Sequence, residues 1–381
     1  MAAILNVAAV LKSYRLPADF KGVLERLLLD NVNRVHSRTR ISTKPLSIKT
    51  QDLRARAICN AFVELRTNGY ALQTPYSLKE KHVKFLVDLW VKDGQSGGSI
   101  ENKLTYLRAL IVWMRKPNLV GTLEDYVDRA SLGLVRSYVA TEDKSWVGNG
   151  VDAVAMIEQI AQTDANVAIQ LKLQAVFGLR VKESFLLRPA EAVRDERFIN
   201  VTHGTKGGRP RIVPMELKIS VLEEAARLSN PYSGSTIPHG RTKAQWRDYY
   251  YAVIGKHGIT KKGLGVTSHG LRHQYLQQMY ERLTGVAAPI KRTGERVDRT
   301  THQAAIQQVV EAAGHSRATK ANAYLSTHRV QTATKAPKVS FEQVDAALNT
   351  AGGNKSHAAA ALGISRQALY RVLAGTDSSG S

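Results

Sequence analysis

Residues 197–214 read RFINVTHGTKGGRPRIVP. Two short runs with strand character, 197–201 and 211–214, flank Thr205-Lys-Gly-Gly-Arg-Pro210, where Gly207 and Gly208 supply the turn conformations of an antiparallel hairpin. On both sides of this hairpin the apolar spacing turns helical. Upstream, helices are expected near 151–161 and 166–177. Downstream they are expected near 216–228, 243–256, 269–283, 302–313 and 317–324. Residues 150–332 therefore read as an α+β domain of helices with one small antiparallel sheet, inside a chain that is mainly α.

Working outward, the turn-rich stretch Asp143-Lys-Ser-Trp-Val-Gly-Asn-Gly150 marks a boundary. Before it, residues 46–147 show helical periodicity, with Leu53, Ala57, Ile58, Ala61 and Phe62 at three- and four-residue steps and Asn68-Gly69 as a C-cap. Val83, Leu86, Val87 and Trp90 form a second stripe, 94–99 reads as a loop, and 100–114 reads as a third helix. Residues 1–45 are a mixed segment with a basic end. After the α+β region, 332–338 is a short polar linker, 338–376 is a small Ala-rich helical unit, and 376–381 is a polar tail.

Composition limits the function classes. The chain has 381 residues, 54 Lys+Arg against 32 Asp+Glu, and a formal net charge of +22. An excess of that size on a folded chain implies a polyanionic partner, because Lys and Arg that neutralise phosphates release condensed counterions. A ribosomal-type protein, a binder of anionic membranes and a merely basic protein are the other readings of charge alone. The single cysteine, Cys59, excludes an intramolecular disulfide framework and a cysteine-rich zinc module, and suits a reducing compartment. No run approaches the ~18 apolar residues of a membrane span. The opening MAAILNVAAVLKSYR is apolar before it is basic, the reverse of a secretory signal.

Six residues of the α+β region stand at marked places: Arg180 after Phe177-Gly-Leu179, Lys206 at the hairpin tip, His269 and Arg272 three apart in SHGLRH, His315 after Gly314, and Tyr324 in ANAYLSTH. Taken singly each has a plain structural explanation, such as a helix cap, a solvated face, edge protection or half-buried core. As an ordered set, Arg…Lys…His-x-x-Arg…Gly-His…Tyr resembles the catalytic signature of the tyrosine recombinases, the phage-integrase family. AVFGLRVKESFLLRP resembles the first-arginine segment with its glutamate, Glu183, and THGTKGGRPRIVP the hairpin-lysine segment. HGLRH and AAGHSRATKANAYLSTH match the two closing boxes, with His328 following the tyrosine.

The resemblance implies phosphoryl transfer on DNA without a cofactor. Arg180 and Arg272 would grip the non-bridging oxygens of a pentavalent phosphorane with permanent charge, standing where a metal ion would otherwise be. Tyr324 would be the nucleophile, deprotonated in place because a tyrosine ordinarily titrates near ~10, with help from the positive field and from His269. Lys206 would protonate the leaving 5′-oxygen and His315 would hydrogen-bond the phosphate. The family's helical core-binding domain corresponds to 46–147 by order. Double-stranded DNA, a homo-oligomer that is a tetramer on DNA, accessory DNA-bending or directionality proteins, and a bacterial cytoplasmic, nucleoid-associated setting are implied likewise. Residues 338–376 resemble the helix-turn-helix of Fis-type domains. There Arg366, Gln367, Tyr370 and Arg371 would enter the major groove, the alternative being a helical hairpin for oligomerisation.

One departure from the family pattern is a basic insert, 285–299, between Arg272 and His315. It reads as an extra DNA contact or a surface loop, and leaves His302 as a fallback for His315. Two other function classes share parts of this signature: a DNA-binding regulator that keeps the fold without catalysis, and a type IB topoisomerase.

Overall fold

The structure is a computed structural model that describes residues 4–35, 45–195, 197–215, 218–328, 341–362, 369 and 373. It divides into two compact units, Met1–Ser137 and Tyr138–Ser381.

The first unit is helical: α1 (Val7–Lys12), α2 (Ala18–Asn31), α3 (Ile48–Thr67), α4 (Glu80–Lys92) and α5 (Gly97–Trp113). Val7, Val10 and Leu11 of α1 and Phe20, Leu24 and Leu28 of α2 are buried in the same core as Ile58, Leu65, Leu86, Trp90 and Leu110. The segment read as mixed is thus part of this unit, and its three- and four-residue apolar steps are why. Helix α5 begins inside the expected loop. Ser96 caps it by accepting from the Ser99 N–H, and Gly97 fits because a Cβ there would lie 1.9 Å from the Leu134 carbonyl oxygen.

In the second unit, α6 (Ala153–Ala161) and α7 (Ala165–Phe177) lead to α8 (Val181–Leu186) and α9 (Pro189–Ala192). Strands β1 (Val193–Asp195), β2 (Phe198–Val201) and β3 (Arg211–Pro214) then form an antiparallel sheet in the order β1-β2-β3. Helices α10 (Ile219–Arg227), α11 (Lys243–Lys256), α12 (His269–Thr284), α13 (Arg299–Ala312) and α14 (Asn322–Leu325) follow. The hairpin expectation holds, with Phe198 opposite Pro214 and Val201 opposite Arg211. The sheet gains a third strand, β1, three residues long and too short to announce itself by alternation.

Helix α7 is buried on both sides. Val167, Ala168 and Leu171 face a cluster with Trp146, Trp246, Tyr250 and Leu271. Ile169, Leu173 and Phe177 face another, with Ile199, Val201, Val213, Tyr275 and Tyr280. A helix apolar around most of its circumference belongs at the centre of a domain, and its C-terminus opens onto the functional site. Two further helices, α15 (Phe341–Thr350) and α16 (Lys355–Ala361), share a small cluster of Val344, Ala358, Ala359 and Leu369. Of the expected third helix of that unit only Leu369 and Leu373 are among the described residues; Arg366, Gln367, Tyr370 and Arg371 lie outside them, as do the 332–338 linker and the 376–381 tail. Among the described residues no helix is long and apolar enough to cross a membrane.

Candidate active site

Helix α7 stops at Gly178, which takes the left-handed conformation (φ +57°) suited to glycine. The turn points the Gly178 carbonyl inward and starts α8 after Arg180. Glu183, one turn into α8, is fully buried. Its Oε2 accepts the Arg180 backbone N–H at 2.7 Å and its Oε1 accepts Arg180 Nη1 at 2.6 Å. Burial alone would raise the Glu183 pKa, but Arg211 and then Arg180 overcome it and hold the carboxyl at about 2.

Arg272 lies in the first turn of α12 and is 0% exposed. Gly270 beside it permits that placement, since a Cβ there would lie 2.4 Å from the Lys144 carbonyl oxygen. The guanidinium donates from Nη1 to the Gly178 carbonyl and from Nη2 to the Ala313 carbonyl. Its Nε donates to Tyr324 Oη at 3.4 Å. Arg180 Nη2 donates to the same Ala313 carbonyl at 2.8 Å. The C-terminus of α13 thus gathers both arginines, the negative end of its dipole favouring cations there. Burial, opposed by Tyr324 and helped by Arg211 and Arg180, lowers Arg272 to about 10, still protonated at neutral pH.

Tyr324 sits on the four-residue helix α14 and is 7% exposed. Its hydroxyl is 3.3 Å from His315 Nε2, and its ring lies 5.6 Å from the Arg272 guanidinium carbon. Burial and the charges of Arg180, Arg272, Lys206 and Lys320 push His315 down to about 4, so the imidazole is neutral at neutral pH. The His269 ring is 6.5 Å from that of Tyr324, farther than His273 at 4.9 Å. Solvent reaches His269, yet partial burial and the charges of Arg272, Arg180 and Lys144 lower its pKa. Lys206 occupies the exposed turn between β2 and β3. Gly204 docks that turn on α8, where a Cβ would lie 2.5 Å from the Lys182 carbonyl oxygen.

Arg180, His269, Arg272, His315 and Tyr324 therefore converge, and Lys206 is near enough to act electrostatically on His315. The fallback His302 sits elsewhere, its Nδ1 2.7 Å from Tyr280 Oη and its ring beside His328. Sequence reasoning missed three parts of this cage: the carbonyls of Gly178 and Ala313, which no side-chain pattern announces, and Arg211. Arg211 left a usable signal, because strand alternation turns it inward with Val213. In the basic insert, Lys291 is bound to Asp143 Oδ2 at 2.6 Å and Arg292 donates to the Thr141 carbonyl at 2.8 Å. Both of those charges are thus engaged with the protein itself. Among the described residues no group of three or more His, Cys, Asp or Glu side chains is arranged to hold a metal ion.

Residues 141–278 match the family model described as integrase, over the segment that carries Arg180, Lys206, His269 and Arg272. That segment is similar to the integrase family. The chain is 30% identical over 135 residues to the tyrosine recombinase XerA of Pyrococcus horikoshii, a match covering 34% of this chain. The chain spans about half, 46%, of the length of that relative. The solved integrase of transposon Tn1549, in complex with transposon right-end DNA, superposes with a TM-score of 0.50 at 13% identity, covering 82% of this chain and 98% of that one. That likeness is one of fold. The XerH recombinase bound to difH DNA gives 0.47 at 15% identity, over 86% of this chain and 92% of that chain. Residues 336–374 match the family described as bacterial regulatory protein, Fis family.

Proposed function

We propose that the protein is a site-specific DNA recombinase that cleaves and rejoins strands through a 3′-phosphotyrosyl link, serving a mobile element. The observation that carries this is Tyr324 Oη, set 3.3 Å from His315 Nε2 and 3.4 Å from Arg272 Nε, with Arg180 sharing the carbonyl that holds Arg272. A phenol in such a cage is poised to attack a phosphodiester. Hydrogen bonds of 3.3–3.4 Å are long, as catalytic contacts commonly are before substrate tightens them.

In the forward step Tyr324 Oη forms a bond to phosphorus and the bond from phosphorus to the 5′-oxygen breaks. Neutral His315, touching the hydroxyl, is placed to take its proton, with His269 as the second imidazole of the site. Lys206 delivers a proton to the departing 5′-oxygen. Arg180 and Arg272 stabilise the charge that grows on the non-bridging oxygens. Attack by a 5′-hydroxyl on the phosphotyrosine reverses the sequence and restores Tyr324, so strands rejoin without ATP.

Double-stranded DNA is the substrate in this reading. A tetramer on DNA, accessory bending or directionality proteins and the bacterial nucleoid as its setting follow from the family. The C-terminal unit supplies a second DNA contact through Arg366, Gln367, Tyr370 and Arg371, supported by its Fis-family match. A nicked suicide substrate carrying the DNA that flanks the coding region tests the proposal. The wild type should form a covalent adduct, and Tyr324→Phe should bind without forming one. Binding without an adduct in the wild type would leave a silent regulator, and relaxation of supercoiled DNA lacking any site would favour a topoisomerase.

A further inference from the structure

Arg211 opens strand β3, is 6% exposed, and joins the end of α7, α8 and the end of α13. Its Nη2 is 2.8 Å from Glu183 Oε2 on α8 and 3.5 Å from the Gly178 carbonyl at the end of α7. Its Nη1 donates to the Ala312 carbonyl, one residue before the carbonyl shared by Arg180 and Arg272. Gly314 lies over its methylenes: a Cβ there would be 2.7 Å from Arg211 Cδ. A side chain so covered reaches no DNA.

Its charge nonetheless bears on the site. The Glu183 carboxylate is 2.6 Å from Arg180, 2.8 Å from Arg211 and 3.9 Å from Arg272. One buried carboxylate against three guanidiniums leaves two positive charges uncompensated, the number a dianionic phosphorane needs. With Arg211 removed, Glu183 would find its counter-charge in Arg180 and Arg272, and the field offered to the phosphate would fall.

We propose that Arg211 is a positioning residue of the cleavage site: it neutralises Glu183 and ties it to the end of α13, so that the charges of Arg180 and Arg272 stay available to the scissile phosphate. The inference rests on the DNA-cleavage reading above. It predicts a specific pattern, because a methylphosphonate at the scissile position carries one negative charge fewer and depends less on that field.

Single-turnover adduct formation is measured on both substrates with wild type, Arg211→Lys and Arg211→Met, alongside DNA binding and thermal melting. Arg211→Met should slow the phosphodiester about tenfold or more and the methylphosphonate far less, since one strong anion contact is worth more than that. Arg211→Lys, which keeps the charge, should keep the wild-type ratio between substrates. Equal slowing of both substrates by Arg211→Met, or slowing of neither, overturns the inference and leaves Arg211 a packing residue. Should Arg211→Met fail to fold, Arg211→Met with Glu183→Gln removes both buried charges together and should show the wild-type ratio. A ratio shifted toward the methylphosphonate in that double variant overturns the inference as well. A wild type that forms no adduct on either substrate defeats the cleavage reading itself.

Discussion

Tyr275 lies so close to Gly178 that a Cβ on the glycine would sit 2.4 Å from Cδ1 of the ring. Gly178 also has φ +57°, and its carbonyl accepts from Arg272 and Arg211. Backbone conformation, packing and arginine placement therefore meet at one residue. Gly178→Ala should cost roughly 2–4 kcal/mol, the sum of a left-handed alanine and an overpacked contact. Melting should fall by roughly 5–15 °C, and adduct formation should be lost at temperatures where the variant is still folded. A variant with wild-type melting and cleavage would show that the ring moves aside freely.

Acid should loosen this site before it loosens the rest of the unit. His273 is buried between His269 and Tyr324, and burial with the charges of His269, Lys144 and Arg272 lowers its pKa to about 3. A histidine held neutral in the folded state binds its proton more readily when unfolded, near pH ~6.5. Its contribution to stability is complete above that pH and is lost as pH falls toward 3. Between pH ~6.5 and ~5 the loss from His273 alone is roughly 2 kcal/mol. Glu183, depressed to about 2, acts in the same direction, from the ordinary carboxylate range downward. Denaturant unfolding at pH 7.5 and 5 should show this drop, and His273→Phe should flatten it; pH-independent unfolding over that range would contradict the assignment of a neutral, buried His273.

How much of this was legible in the sequence depends on what made each feature. The candidates named by side-chain type are the ones the structure brings together: Arg180, His269, Arg272, His315 and Tyr324 lie in one cluster. The hairpin was legible because Gly207 has φ +71°, a conformation its residue type announces. Features made by backbone groups were not. The Ala313 carbonyl that gathers two arginines is the end of α13, which stops at Ala312 with no residue that announces an acceptor. The helix expected over 317–324 is split in the structure, a 3-10 turn at Ala318–Ala321 followed by α14, and Ser326 with φ +65° ends it. Helices α1 and α2 were legible in principle from Val7, Val10 and Leu11 and from Phe20, Leu24 and Leu28, but the Lys and Arg around them masked the stripe.

The tyrosine is also held from behind. Gln277 Nε2 donates to Asp143 Oδ1 at 2.9 Å and to the Tyr324 carbonyl at 3.3 Å, and Asp143 is in turn bound by Lys291 from the insert. Gln277 is 3% exposed, so Gln277→Leu removes two buried bonds and leaves their acceptors short of a donor. A loss of roughly 1–3 kcal/mol in stability is expected, together with slower adduct formation at unchanged DNA affinity. Lys291→Ala, at the partly exposed end of the same chain of contacts, should cost less than about 1 kcal/mol. The reverse order of effects would place the anchor in the insert rather than in Gln277.

The two site arginines should separate by what their loss does to the fold. Arg180 keeps 20% of its side chain exposed, and its contacts to Glu183 and Ala313 have substitutes in Arg211 and Arg272. Arg272 is fully buried and alone joins Gly178, Ala313 and Tyr324. Arg180→Ala should therefore melt close to wild type while losing about 3–4 kcal/mol of transition-state stabilisation, as removal of a strong anion contact does. Arg272→Ala should lose cleavage to at least that extent and also melt at a clearly lower temperature, because it empties a fully buried site and takes one donor each from the Gly178 carbonyl, the Ala313 carbonyl and the Tyr324 hydroxyl. Melting curves set beside suicide-substrate rates decide it. Equal melting of the two variants would mean that Arg272 is held by the site rather than holding it together.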